Sequence, residues 1–99
     1  MIREAAMLRL LPGAAPAFER AFASVAPLLA GTDGCLSYRL MPTLESPEIY
    51  LIEVDCRDLA AHTEGFEPSE AHARFMAPLE PLLLGEPIVV HVPVGEPEG

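Results

Sequence analysis

A chain of 99 residues with 51% hydrophobic content carries enough apolar side chain for one compact core and no more. Its formal net charge of −9 argues against nucleic acid and anionic membranes as partners, since both are recognised through basic patches. No apolar run approaches the roughly 18 residues of a transmembrane helix, and Met1-Ile-Arg-Glu4 lacks the apolar stretch of a secretory leader, so a cytoplasmic location is expected.

The first expected element is a strand from Ile2 to Leu11, closed by Pro12-Gly13. A helix follows from Ala14 to Ala30. Its apolar residues Phe18, Phe22, Val25 and Leu29 recur at helical spacing, and Pro16 falls in the first turn, where a missing N–H is tolerated. Pro27 should kink or tighten the last turn, and Gly31-Thr-Asp-Gly34 ends the helix. Leu36–Met41 and Glu48–Cys56 read as strands, joined over residues 42–47 as an antiparallel hairpin with Arg39 expected to pair with Glu48 across it. In the second of these strands Tyr50, Ile52, Val54 and Cys56 share the face expected to be buried, opposite Ile49, Leu51, Glu53 and Asp55. Arg57–Glu64 reads as a short helix and Ser69–Leu84 as a longer one with Ser69 as its N-cap. Gly85-Glu-Pro87 then leads to a last strand, Ile88–Val94. Residues 1–94 form one domain on this reading, and 95–99 a frayed tail.

The order βαββαβ, with the second helical region in two pieces, is the split βαβ pattern of an α+β, ferredoxin-like fold with a four-stranded antiparallel sheet. Helices on one face leave the other uncovered. Because the strands are apolar on both sides over much of their length, a second copy packed sheet to sheet is the expected partner, giving a homodimer.

The absent residue types narrow the chemistry. There is no Lys, Asn, Gln or Trp, and all six basic residues are Arg, so no lysine can form a Schiff base and no carboxamide can hold an oxyanion or a peroxide. The stretch His62-Thr-Glu-Gly-Phe66-Glu-Pro-Ser69-Glu-Ala-His72 concentrates two of the three histidines at a helix-turn-helix junction, the natural place to look for a site. Neither an i, i+4 His pair nor a Cys-x-x-Cys is present, and no metal site is expected. Whether Cys35 and Cys56 share a face depends on strand register, and two free thiols are the base expectation. His91 alternates with Val90 and Val92 and is expected to make a cross-strand or interface hydrogen bond.

Leu10-Leu-Pro12-Gly13, Asp33-Gly34-Cys-Leu-Ser-Tyr38-Arg, Tyr50-Leu-Ile-Glu53, Leu59-Ala-Ala-His62, Gly65-Phe66-Glu-Pro-Ser69, Phe75-Met-Ala-Pro78-Leu-Glu-Pro81 and Pro87-Ile-Val-Val-His91 occur in this order. Together, from about Arg3 to Val94, they resemble the antibiotic biosynthesis monooxygenase (ABM) domain. The resemblance implies a dimeric α/β barrel with a small-molecule pocket between helices and sheet in each half. Members include oxygenases that need no cofactor and turn phenolic rings into quinones, and others that degrade haem. The quinone-forming members use a Trp and an Asn that this chain lacks. Aligned on the haem-degrading branch, His72 takes the ligand position, but His62 stands where a Trp is required and Ala6 where an Asn is, so haem degradation is disfavoured.

What remains is a cofactor-free monooxygenase acting on an aromatic polyphenol or quinol. His62 or His72 would be its base, since a neutral imidazole can take a phenolic proton at neutral pH. Tyr38, Tyr50, Phe66 and Phe75 are the candidates to position substrate. The alternative is a non-catalytic dimeric module for a small apolar or aromatic ligand. No cofactor is expected in either case.

Overall fold

Four strands pair in the order β2-β3-β1-β4, every pair antiparallel. They are β1 (Ile2–Arg9), β2 (Cys35–Pro42), β3 (Ile49–Cys56) and β4 (Ile88–Pro93), accompanied by the helices α1 (Ala15–Ala30) and α2 (Glu70–Met76) and a 3-10 turn at Glu80–Leu82. The computed structural model describes residues 1–60, 64 and 69–95. This is the expected α+β arrangement. The helix expected over Arg57–Glu64 begins at Leu59, and its residues 61–63 lie outside the described residues, as do residues 96–99 of the expected tail. Among the described residues no helix is long and apolar enough to cross a membrane.

Strict alternation on the two central strands makes the core. Register sets Ala6 opposite Ile52, Leu8 opposite Tyr50 and Glu4 opposite Val54, so the even-numbered side chains of β1 and β3 face the helices together. Against them α1 lays Phe18, Phe22, Val25 and Leu29, all buried, as its 3.6-residue period requires. Phe18 is fully enclosed, stacks with Phe22 at 6.5 Å and packs at a tilt against Tyr50 at 5.3 Å. Pro27 is accommodated inside the last turn of α1, and its carbonyl accepts from the Gly31 N–H at 2.9 Å. Helix propensity matters less here than the stripe the helix buries.

Three details differ from expectation or settle what register left open. The helix expected to run to Leu84 ends at Met76. Pro78 and Pro81 lack the N–H groups that its next turns would need. The chain instead turns back onto the end of β1, where Leu11 N donates to the Leu82 carbonyl at 2.9 Å and Leu84 N to that of Arg9 at 2.7 Å. Arg39 pairs with Glu53 at 3.6 Å and not with Glu48. Cross-strand partners are the nearer choice, and Glu48 is engaged elsewhere, accepting from the N–H of Gly13, whose φ of +77° a side chain would resist. Cys35 and Cys56 are direct partners across β2 and β3 and therefore share a face. Both are free thiols, and burial pushes Cys56 up to about 11.

On the face away from the helices, Arg3 grips Asp55 through two bonds, Nε to Oδ1 at 2.7 Å and the terminal nitrogen to Oδ2 at 3.1 Å. Hydrogen bonding from Arg3 holds the Asp55 carboxyl below its usual range. A depressed carboxyl stabilises the fold above its unfolded pKa, about 3.9, and that contribution is lost as pH falls through the lower folded value. Asp55→Asn should therefore lower the melting temperature at pH 7, with the difference from wild type shrinking below about pH 3.9. Thermal unfolding followed by circular dichroism across pH 2–7 measures it, and a difference that stays constant with pH would refute the assignment.

Candidate functional site

The sheet and α2 do not meet flush. Between them lies a cavity of about 350 Å³, within the usual range for small-molecule sites. Ala6 and Leu8 of β1 and Ile52 and Val54 of β3 form its floor, with Leu29 of α1 beside them. The inner face of α2 contributes His72, Phe75 and Met76, while Glu80, Glu86, Pro87 and Val89 complete the wall. Glu4 also lines it. Glu4 is 9% exposed, whereas Glu80 and Glu86 are exposed and mark the rim.

A short helix carries the imidazole. Ser69 is its N-cap as expected, with extended backbone (φ −81°, ψ 158°) and its Oγ accepting from the His72 N–H at 3.1 Å. That bond fixes the first turn of α2 and with it the start of the His72 side chain. Three residues on, Phe75 is buried and packs edge-on against Phe22 at 6.0 Å, so α1 holds α2 through an aromatic contact. A planar apolar molecule would meet hydrocarbon from the strands, the Phe75 ring and one half-buried imidazole.

The candidates read from sequence separate on this map. His72 and Phe75 come together at the cavity. Tyr50 faces the helices but is 4% exposed, does not line the cavity and packs on Phe18; burial and Glu19 push its hydroxyl up. Tyr38 stands across Phe22 at 6.1 Å and lines a separate, more open hollow of about 270 Å³ with Ala30, Cys35, Leu36 and Ser37. His62 and Phe66 lie outside the described residues. Sequence reasoning passed over Glu4. Its signal was available, an acid at an inward position of an otherwise apolar alternation, and the β1–β4 register places it opposite His91, with Glu4 Oε2 3.4 Å from His91 Nε2. That is a cross-strand contact of His91 at ion-pair distance, not the hydrogen bond expected there. Among the described residues no group of three or more His, Cys, Asp or Glu side chains is placed to hold a metal ion.

The family profile of antibiotic biosynthesis monooxygenases matches residues 1–78. The chain belongs to the antibiotic biosynthesis monooxygenase family. It is 36% identical over 91 residues to the uncharacterised protein YczJ of Bacillus subtilis, covering 92% of this chain and 96% of that one. An ABM-family structure from Bordetella bronchiseptica superposes with a TM-score of 0.91 at 25% identity, covering 96% of this chain and 97% of that one. SnoaB of Streptomyces nogalater, a cofactor-independent oxygenase solved as a variant, shares the fold with a TM-score of 0.82 at 15% identity, over 98% of this chain and 95% of its own. The ABM match ends at Pro78, so it takes in α2 with His72 and Phe75 and leaves β4, with Val89 and His91, beyond it.

Because Ser69 caps the first turn of the α2 wall in this ABM chain, Ser69→Ala should cost about 1 kcal/mol of stability. It should also raise hydrogen exchange at the amides of residues 70–73. Exchange unchanged at the His72 amide would show that the cap does not hold the imidazole in place.

Proposed function

We propose that this chain is a cofactor-independent monooxygenase that oxidises a phenol- or quinol-type aromatic with O₂ and works as a cytoplasmic homodimer. The observation that carries the proposal is His72 standing over an apolar slot walled by Phe75 in an ABM-family fold. A neutral phenol is a poor reductant of O₂, and its anion a good one. His72 would take the hydroxyl proton as the ring lies against the strand floor, leaving the electron-rich anion to react with O₂ inside the cavity. Phenol plus O₂ gives quinone plus water, so one oxygen atom enters the ring, the other leaves as water, and no external reductant is consumed. Phe75 supplies a flat wall that orients the ring.

His62 is the second candidate base, and Tyr38, Tyr50 and Phe66 remain candidates for substrate contact from sequence. The absence of Trp and Asn favours a second reading, a dimeric module that binds a small aromatic ligand without turning it over. Oxygen consumption separates the two. With a panel of hydroquinones and anthrones the wild-type chain is expected to take up O₂, and His72→Ala to lose about 10²-fold or more of that rate, the usual contribution of a positioned base. Loss in His62→Ala with His72→Ala unaffected would move the base to His62, and no uptake in wild type would leave the binding module.

Support for the dimer comes from the open sheet face. Ile88, Val90 and Val92 of β4 are each about half exposed, and register places them beside Met7, Ala5 and Arg3 on the side the helices do not cover. An apolar stripe of this kind, bordered by the Arg3–Asp55 and Arg39–Glu53 pairs, suits a self-complementary contact about a two-fold axis. Sedimentation should give a dimer for wild type and a shift towards monomer for Val90→Asp. A wild-type monomer would remove the dimer and the barrel built from it.

A further inference from the structure

The charge around the cavity is one-sided. All six Arg lie among the described residues and none of them lines it, and the chain has no Lys, so no permanently cationic side chain of this chain reaches its wall. Three carboxylates do, Glu80 and Glu86 at the exposed rim and Glu4 within. Glu4 is not carried by a loop. It sits at an inward position of β1 between Val54 of β3 and His91 of β4, and its Oε2 lies 3.4 Å from His91 Nε2, so two strand registers and a side-chain contact fix where its charge stands.

A carboxylate held at 9% exposure beside hydrocarbon is screened far less than one in water. A ligand bearing its own carboxylate, sulfonate or phosphate would give up hydration on entry and meet like charge at the rim and again within. A hydroxyl keeps its favourable polarity in the same field, and an ammonium gains from it. We infer that the cavity selects by charge, admitting neutral hydroxyl-bearing or amine-bearing aromatics and refusing anionic ones, with Glu4 as the residue that sets the selection. This specifies the substrate class and rests on the cavity being the ligand site, but it does not depend on turnover.

Three probes with one ring system test it by fluorescence or calorimetric titration of the full chain at neutral pH: 2-naphthol, 2-naphthylmethylamine and 2-naphthoate. Naphthoate should bind at least about tenfold more weakly than naphthol, a difference of about 1.4 kcal/mol, and the amine at least as tightly as naphthol. Glu4→Gln keeps the side chain's size and removes its charge, so it should narrow the naphthol–naphthoate gap several-fold. The double variant Glu80→Gln/Glu86→Gln, altered only at the exposed rim, should keep most of the gap. Equal binding of naphthoate and naphthol by wild type overturns the inference, as does no binding of any probe. If Glu4→Gln fails to fold, the wild-type ratio and the rim variant still decide: a gap abolished by the rim variant takes the selection away from Glu4. O₂ uptake measured in parallel keeps the two proposals apart. Charge selection without uptake leaves this inference standing and removes the oxygenase, while uptake without charge selection does the reverse.

Discussion

Alternation on β1, locked on both sides by hydrogen-bonded neighbours, is the constraint on which the rest of the molecule depends. With β3 on one side and β4 on the other, β1 cannot slip by a residue without turning Leu8 and Leu10 to the open face and Arg3 and Met7 into the core. The same register fixes everything that faces the helices. Leu8 opposite Tyr50 supports Phe18, and Ala6 lies between Ile52 and Val89. Ala6 is the smallest side chain on the cavity floor and leaves more room beneath α2 than a larger residue would. The hollow opens to solvent at the Glu80 and Glu86 rim, and it is the space proposed to take the ligand.

Two prolines give that gap its shape. Had α2 run on to Leu84, residues 82–84 could not have turned back to bond at the end of β1. Pro78 and Pro81 end the helix after seven residues and turn the backbone so that Leu82 and Leu84 bond to the end of β1. Leu79 is thereby buried in the core, while Glu80 and Glu86 stand on the rim. Local chain chemistry thus sets the size of the cavity and the charge at its entrance together. On the opposite side of the sheet no element among the described residues covers β4, and its alternate residues Ile88, Val90 and Val92 face outward.

Much of this architecture could be read from the residues alone, for identifiable reasons. Period-2 alternation in Tyr50–Cys56 and period-3.6 spacing in Phe18–Leu29 are strong signals because each element buries one face only. The order of elements followed, and with it the family. The length of α2 was misjudged because Ala77-Pro-Leu-Glu-Pro81 keeps helical spacing of its apolar residues even though its prolines forbid helical bonding, and the backbone prevailed over the pattern. The partner of Arg39 could not be read, since it depends on register rather than on distance along the chain. Glu4 was overlooked for a related reason. An acid near a chain terminus passes for a solvated one until the strand on either side is known. The two tyrosines looked equivalent in sequence, yet Tyr50 is walled into the core by Phe18 and Tyr38 opens on a different hollow.

A one-sided electrostatic environment also constrains the chemistry that the cavity can support. Deprotonating a phenol creates an anion next to three carboxylates, with no Arg or Lys on the wall to neutralise it. Were the proton released to solvent, the anion would stand uncompensated in a poorly screened space, and the step would be uphill. Were it kept on an imidazole at the wall, the imidazolium would be the counter-charge, and the carboxylates that oppose the anion would favour the cation beside it. The ion pair of substrate anion and imidazolium adds no net charge to the site, so the acidic lining costs the reaction little provided the proton stays close. Quinone formation then discharges the pair, because the anion becomes a neutral product and the imidazolium can return its proton to the oxygen atom that leaves as water. A retained proton is therefore the condition under which an acidic cavity and an anionic intermediate would be compatible, and the proposed base, His72, meets it by standing on the cavity wall.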